Sequence, residues 1–185
     1  MSKPDRLAGQ RIDLLNVGPS FFEKIVEWRN DPDTRRQFFS KTMLTLADQE
    51  RWHEAYQRDE SDMTFVLQLK SGIPIGMIGL YRIDRRAKTA EFGRLLIGEK
   101  SYRGKGFAEE ACRLLLGYGF DQLKLETIDL EVYDSNLPAI ALYDRLGFET
   151  VAIDACRDAN GIEQRKRKMV MRIEHKTLTE RGDRE

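Results

Sequence analysis

Two hydrophobic periodicities alternate along the chain and predict alternating strands and helices. In the segment 64–70 the apolar Phe65, Leu67 and Leu69 occupy every second position, which is typical of a strand. In the segment 106–123 the apolar residues recur at helical spacing, and this is the strongest helix pattern in the sequence. The same criteria predict further strands at 11–15, 73–82, 90–97, 127–133, 148–158 and 165–173, and further helices at 20–28, 46–58 and 138–146.

Local signals mark the ends of the N-terminal helices. Candidate caps precede the first two helices, namely Ser20 with Glu23 and Thr45 with Asp48. The dipeptide Asp31-Pro32 is expected to stop the first helix. The complete order of predicted strands and helices indicates a mixed α/β sheet with helices on its faces.

Composition narrows the functional class. The chain of 185 residues suits one domain, expected at 11–173, with a flexible N-terminus at 1–10 and a flexible tail at 174–185. Its 31 basic and 31 acidic residues balance, so neither nucleic acid nor a membrane is an expected partner. With two Cys and two His, the chain has too few of these residues for a disulfide framework and offers little basis for a metal site or a His-based triad. The polar first residues and short apolar runs predict a cytoplasmic protein.

A glycine-rich segment precedes the strongest helix and is a candidate anion site. It reads Ser-Tyr-Arg-Gly-Lys-Gly-Phe-Ala at 101–108, and glycine lets the backbone approach a ligand closely. Amide groups at the helix start, together with Arg103 and Lys105, would suit a diphosphate. A Walker A loop is absent, and a dinucleotide fingerprint is weak because Glu109 replaces its third glycine. An R-x-x-G-x-A loop fits in full, and a plain glycine-rich turn is the alternative.

A second motif follows and suggests a family. The segment 136–148 fits the pattern N-x-x-A-x-x-L-Y-x-x-x-G-F, and it leads from a predicted strand into a short helix. With both motifs in order, the sequence closely resembles the Gcn5-related N-acetyltransferase (GNAT) superfamily, most strongly over 75–148 and plausibly over 11–173. The resemblance implies a mostly antiparallel sheet of six to seven strands with helices on both faces and a splay between strands 4 and 5.

The resemblance also implies acetyl-CoA as cofactor, bound where the strands 92–97 and 128–133 diverge. The pantetheine arm would pair with the free backbone edge of Leu95, Leu96 and Ile97, as an added strand would. Gly93 or a neighbour would form the bulge that opens the strands. Asn136 would contact the pantetheine arm. The diphosphate would lie on Arg103, Gly104, Lys105, Gly106, Phe107 and Ala108.

Catalysis in such proteins is direct attack of a neutral amine on the thioester. A primary amine has a pKa near ~10, so a base must remove a proton. By resemblance Glu131 is placed ahead of Glu91 as base, although either carboxylate could equally be a solvated strand residue. Tyr143 is the expected acid for the leaving thiolate, with a packed core aromatic as the alternative. Cys112 would permit covalent chemistry, but a buried inert thiol is favoured.

The acceptor amine is the least constrained part of the interpretation. The segment Trp28-Arg29-Asn30 resembles the N-terminal region of acetyltransferases that modify nucleotide-linked amino sugars. By that resemblance Trp28 would stack on a ring of the substrate, and arginines would bind its diphosphate. Ordinary packing and ion pairing are the alternatives for each residue. The segment 90–148 equally resembles RimJ/RimL-like protein N-terminal and spermidine acetyltransferases. Amino sugars and protein N-termini are ranked above polyamines. Two other functions remain as alternatives, namely a non-catalytic acyl-CoA-binding domain and a dinucleotide-dependent enzyme. The sequence does not decide whether the chain forms a homodimer.

Overall fold

The structure, a computed structural model, describes residues 3–40, 42–157 and 161–174. Within them the chain forms eight strands and five α-helices, with two short 3-10 turns at Pro19–Phe21 and Lys100–Tyr102. The helices are α1 (Phe22–Asn30), α2 (Pro32–Gln37), α3 (Leu46–Arg58), α4 (Phe107–Asp121) and α5 (Leu137–Leu146). The strands are β1 (Arg6–Ala8), β2 (Ile12–Asn16), β3 (Met63–Leu69), β4 (Pro74–Asp84), β5 (Thr89–Ile97), β6 (Thr127–Tyr133), β7 (Glu149–Arg157) and β8 (Glu163–Arg172).

All eight strands lie in one sheet, in the order β1-β2-β3-β4-β5-β6-β8-β7. Every neighbouring pair is antiparallel except β5 and β6, which are parallel because α4 crosses between them. This parallel pair is short, since its register covers Thr89 to Glu91 on β5 and Thr127 to Asp129 on β6. Beyond Glu91 the two strands are unpaired with each other, and we call this opening the gap.

Helices cover both faces of the sheet. On the back face α4 and α5 bury the main core, whose members include Phe92, Leu115, Phe120 and Leu130. On the front face α1 and α3 pack over a smaller cluster that includes Trp28. Alternation along each strand explains the division, because successive side chains point to opposite faces. No helix in the described ranges combines the length and apolarity needed to cross a membrane.

The fold confirms the predicted mixed sheet, with some differences in its elements. It has eight strands rather than six or seven, because Arg6–Ala8 pairs with β2 as β1, inside the segment expected to be flexible. The boundary expected at residue 11 therefore leaves out a strand. Of the expected tail, only Glu174 lies within the described residues.

The N-terminal helices differ most from the prediction. The Ser20–Glu23 capping box does not form, since Pro19–Phe21 is a 3-10 turn and α1 begins at Phe22 without a side-chain cap. Asp31-Pro32 ends α1, but it also starts α2, because the Asp31 carboxylate accepts from the N–H groups of Asp33 and Thr34. A helix stop and a helix start share this signal, since proline is favoured in a first turn. The capping box at Thr45 and Asp48 is confirmed.

Candidate active site

A β-bulge in β5 lies beside the gap. The register against β4 shifts between Met77 and Gly79, and Arg94 on β5 has a φ of 55°. A bulge bends its strand and increases the local twist, which turns β5 away from β6. The expected bulge at Gly93 or a neighbour is therefore confirmed, with Arg94 as the residue in the left-handed conformation.

The C-terminal half of β5 has one paired edge and one edge facing the gap. Leu96 and Ile97 pair with Met77 and Gly76 of β4, whereas β6 pairs with nothing on β5 beyond Glu91. The side chain of Arg103 reaches back to this edge, and its Nε donates to the carbonyl oxygen of Ile97 at 2.9 Å. The predicted pantetheine edge of Leu95, Leu96 and Ile97 thus lies at the gap, with the Ile97 carbonyl already bonded to Arg103.

The glycine loop (103–106) leads into α4. Gly104 and Gly106 have φ values of 72° and 80°, which a residue with a Cβ rarely adopts. Helix α4 begins at Phe107 without a side-chain cap, so the N–H groups of its first turn point outward without an intrahelical partner. Arg11 supports the loop from behind, because its Nη1 donates to the Lys105 carbonyl at 2.9 Å. This arrangement fits a diphosphate, which needs several convergent N–H donors and nearby positive charge.

Asn136 lies at the start of α5, across the gap from β5. Its side-chain oxygen accepts from the N–H of Ala139 at 3.3 Å, so Asn136 is the N-cap of this helix. Pro138 occupies the first turn and Gly147, with a φ of 95°, ends the helix as predicted. The contact of Asn136 with a pantetheine arm stays a prediction.

Tyr143 of α5 packs behind the gap. Its ring lies 5.9 Å from the Phe92 ring and 5.8 Å from the Phe148 ring, and the residue is 7% exposed. Burial raises the pKa of Tyr143 far above its ordinary value. Within the described ranges its hydroxyl makes no hydrogen bond. The phenol is therefore protonated and available as a donor, which is what the acid role requires. Packing and the predicted catalytic role are compatible here.

Cys112 is enclosed in the same core. It is 0% exposed, and burial raises the pKa of its thiol well above the ordinary value. A nucleophilic cysteine needs the opposite, namely a lowered pKa and access. The environment favours the inert buried thiol over acetyl-cysteine chemistry.

The two base candidates lie together on the front face. Glu91 and Glu131 both line a cleft of about 510 Å³. Glu91 accepts from the Tyr81 hydroxyl at 2.8 Å and from Arg82 at 2.6 Å, whereas Glu131 is paired with Lys166 at 2.8 Å. The Glu91 side chain is 18% exposed and that of Glu131 is 36% exposed. Glu91 is the more enclosed carboxylate and comes directly before the gap.

Sequence reasoning missed Tyr81 and Arg94. The Arg94 guanidinium stacks on the Tyr81 ring at 4.6 Å, lies 5.5 Å from the Trp52 ring and donates to Asp62 at 2.6 Å. It also bonds the hydroxyl of Thr64. One signal was available, because Arg94 interrupts the apolar run of a strand, and such a break in phase is typical of a bulge. The contacts themselves join four separate segments and leave no local pattern.

The three predicted substrate residues lie at the C-terminal end of the front-face helix α1. Trp28 is 2% exposed, and its Nε1 donates to Glu99 at 3.0 Å. Asn30 bonds both backbone groups of Leu44, each at 2.7 Å, and so fixes the segment that follows α2. Arg29 stacks on the ring of Phe38 at 4.1 Å. Trp28 and Asn30 therefore have packing roles, whereas the guanidinium of Arg29 lies against Phe38 and within electrostatic range of Arg94.

Comparison with known proteins agrees with this geometry. Residues 11–149 match the family model described as acetyltransferase (GNAT) domain. The chain is 33% identical over 141 residues to a prophage-derived uncharacterized N-acetyltransferase, YokL, of Bacillus subtilis, covering 76% of this chain and 77% of that protein. It is 30% identical over 119 residues to spermidine N(1)-acetyltransferase of Escherichia coli K12, covering 64% and 62%.

A solved structure extends the likeness to the whole fold. Spermidine N-acetyltransferase from Vibrio cholerae, in complex with CoA and spermine, superposes with a TM-score of 0.84 at 23% identity, covering 90% of this chain and 98% of that one. Three findings indicate the same class of enzyme. They are the splayed parallel strands, the glycine loop before α4 and the match to the family model. The chain belongs to the GNAT family of N-acetyltransferases, which use acetyl-CoA.

Proposed function

We propose that the chain transfers an acetyl group from acetyl-CoA directly to the primary amine of a small molecule or of a protein N-terminus. The observation that carries this proposal is the adjacency of two features, the unpaired edge of β5 and the glycine loop before α4. Backbone groups at a free edge bind an extended peptide-like arm, and helix amides bind phosphate. One ligand class, a coenzyme A thioester, needs both at once.

The loop residues Arg103, Gly104, Lys105, Gly106, Phe107 and Ala108 would hold the diphosphate of the cofactor. Leu95, Leu96 and Ile97 would hold its pantetheine arm, with Asn136 at the other side of the gap. Arg103 would have to release the Ile97 carbonyl or share it. When bound, the cofactor supplies an acetyl group activated as a thioester.

We assign the base to Glu91 rather than Glu131, which reverses their order from sequence alone. Each carboxylate has a cationic partner, Arg82 for Glu91 and Lys166 for Glu131, but Glu91 is the less exposed of the two and is also held by the Tyr81 hydroxyl. A base must reach the amine before attack, and an oriented carboxylate at the gap suits that task.

Tyr143 would supply the proton that the departing thiolate needs. Its ring lies against Phe92 on the back face, while the side chain of Glu91 belongs to the front face. Base and acid would therefore approach the gap from opposite sides of the sheet. This division suits a reaction in which the amine enters from the front and the thiolate leaves behind it.

Polyamines are a second acceptor class, because two of the similar proteins are spermidine acetyltransferases. A polyamine pocket needs uncompensated carboxylates. The acidic residues near α1 and α2 are largely neutralised, since Glu27 pairs with Lys24, Asp31 with Lys100 and Asp33 with Arg36. This pairing argues for ranking polyamines below the other two classes.

Release of free thiol from acetyl-CoA tests the proposal. The panel contains amino sugars with and without nucleotide, ribosomal N-terminal peptides, and spermidine. Turnover with at least one amine, lost in Glu91→Gln and retained in Glu50→Gln on the exposed side of α3, is the expected result. A chain that binds CoA but acetylates no amine would instead be a non-catalytic acyl-CoA-binding domain. The cytoplasmic location stays a prediction.

A further inference from the structure

Arg29 differs from the arginines around it, because no oxygen atom of the described residues is bonded to its guanidinium. Arg94 pairs with Asp62, Arg82 with Glu91, and Arg103 with the Ile97 carbonyl. Across residues 3–40, 42–157 and 161–174, the guanidinium of Arg29 makes neither an ion pair nor a hydrogen bond. It makes a cation–π contact instead, with the ring of Phe38 at 4.1 Å.

The surroundings of Arg29 make this lack costly. Burial lowers the pKa of Arg29, and the positive charge of Arg94 on β5 lowers it further, so the two guanidinium groups lie within electrostatic range of each other. A guanidinium stays charged in proteins, and a partly desolvated charge is destabilising unless an opposite charge or strong acceptors meet it. Stacking on Phe38 offsets only part of that cost.

The neighbours of Arg29 connect it to both strands that flank the gap. Arg94 stacks on Tyr81, whose hydroxyl is bonded to Glu91. On the other side, Phe39 packs edge-on against Tyr133 of β6 with ring centres 4.7 Å apart, so the segment after α2 reaches over to the far strand of the gap. Arg29 is therefore linked to β5 through Arg94, and Phe38 is linked to β6 through the neighbouring Phe39, so both residues lie near the front face of the gap.

From this arrangement we infer that the acceptor is an amine that also carries an oxyanion, a carboxylate or a phosphate, which binds the Arg29 guanidinium while the amine faces Glu91. This inference rests on the proposed acetyl transfer and names the substrate class for it. The planar fork of arginine matches both oxyanions. The cofactor's own phosphates are assigned to the glycine loop before α4, a separate part of the chain.

Matched pairs of amines test the inference by binding to the CoA-saturated protein. The first pair is glucosamine and glucosamine 6-phosphate, and the second is butylamine and γ-aminobutyrate. The wild-type protein should bind one anionic member about tenfold more tightly than its uncharged-tail analogue, which is what a charge-assisted pair contributes. The first pair identifies phosphate and the second identifies carboxylate as the anion.

Two variants and one control assign the preference to Arg29. Arg29→Met keeps the stem on Phe38 and should abolish the preference, whereas Arg29→Lys should keep part of it. Arg51→Met removes the same charge from an exposed position on α3, where Arg51 pairs with Asp48, and should leave the preference intact. If Arg29→Met unfolds, a reduced preference in Arg29→Lys supports the inference, together with thermal stabilisation of the CoA-saturated wild-type protein by inorganic phosphate or acetate, since CoA already occupies the glycine loop. An undiminished preference in Arg29→Lys without such stabilisation overturns it.

Equal affinity of the wild-type protein for both members of each pair overturns the inference, as does a preference that survives in Arg29→Met. Neither result affects the proposed acetyl transfer, which is read separately by thiol release. Conversely, anion-dependent binding without thiol release would reject the transfer while leaving Arg29 as an anion receptor.

Discussion

The hydroxyl of Tyr81 donates a hydrogen bond of 2.8 Å to Glu91, the residue directly opposite it in the β4–β5 register. Burial raises the pKa of Tyr81, and the bond to Glu91 raises it further, so the phenol stays protonated and keeps donating. The bond fixes one carboxylate oxygen at the edge of the gap. We regard Tyr81 as a positioning residue for the proposed base.

Tyr81→Phe tests this role. The phenyl ring can still stack under Arg94, so acceptor KM should be nearly unchanged. Loss of a bond to a charged group should lower kcat about 10- to 100-fold. The limb of the pH–rate profile that reports the base should also move. Tyr118→Phe, a half-buried position on α4, serves as control, and an unmoved limb would assign Tyr81 to packing alone.

Gly93 provides the space that Tyr81 needs. A Cβ at this position would lie 2.6 Å from the Tyr81 hydroxyl oxygen. Gly93→Ala should therefore displace the phenol from Glu91 and lower both kcat and the free energy of unfolding. Activity assays and urea unfolding measure the two effects.

Gly117→Ala is the matched control for Gly93→Ala, because its added methyl group meets nothing closer than Asp121 at 4.0 Å. In a helix interior this change should raise the free energy of unfolding by up to about 1 kcal/mol. Normal activity and stability in Gly93→Ala would show that the contact with Tyr81 is unimportant.

Tyr143→Phe tests the acid. It keeps the ring against Phe92 and Phe148, so CoA affinity by calorimetry should be unchanged while kcat falls about 100-fold or more. Because the pKa of Tyr143 is raised, the wild-type enzyme should lose no activity from tyrosine ionisation up to roughly pH 10. Unchanged kcat in the variant would leave Tyr143 as a packed aromatic.

Glu99 links stability to pH. The indole N–H of Trp28 and then the ammonium of Lys24 lower the pKa of Glu99 below its ordinary value of 4.5. A lowered folded-state pKa adds stability that is present above pH 4.5 and is lost as the pH falls through the lower folded value. Urea unfolding from pH 7 to pH 3 should show a smaller acid-induced loss in Glu99→Gln than in the wild-type protein. Equal losses, or the same change in Glu50→Gln, would contradict the linkage.

Elements with a strong local pattern are predictable from sequence. The strand predicted at 127–133 has the observed bounds, and α4 begins within one residue of its predicted start. The glycine loop and the α5 cap are also visible in the sequence, because glycine and asparagine signal such positions by themselves. These features locate the proposed cofactor site.

The front-face site is less accessible to sequence reasoning. Tyr81, Arg94 and Asp62 come from β4, β5 and the turn before β3, and their contacts depend on strand register and on one bulge. Register is a long-range property that no local pattern reports. The resemblance in sequence makes Arg29 a candidate ligand of a diphosphate. That its guanidinium has no oxygen partner among the described residues is visible only in the three-dimensional structure.

The most direct test of the central claim is a crystal structure of the chain with CoA. We expect the diphosphate within hydrogen-bond distance of the amide nitrogens that open α4, and the pantetheine arm along residues 95–97 with its thiol directed toward Tyr143. Coenzyme bound elsewhere on the chain, with neither the loop nor the β5 edge in contact with it, would contradict the proposed site.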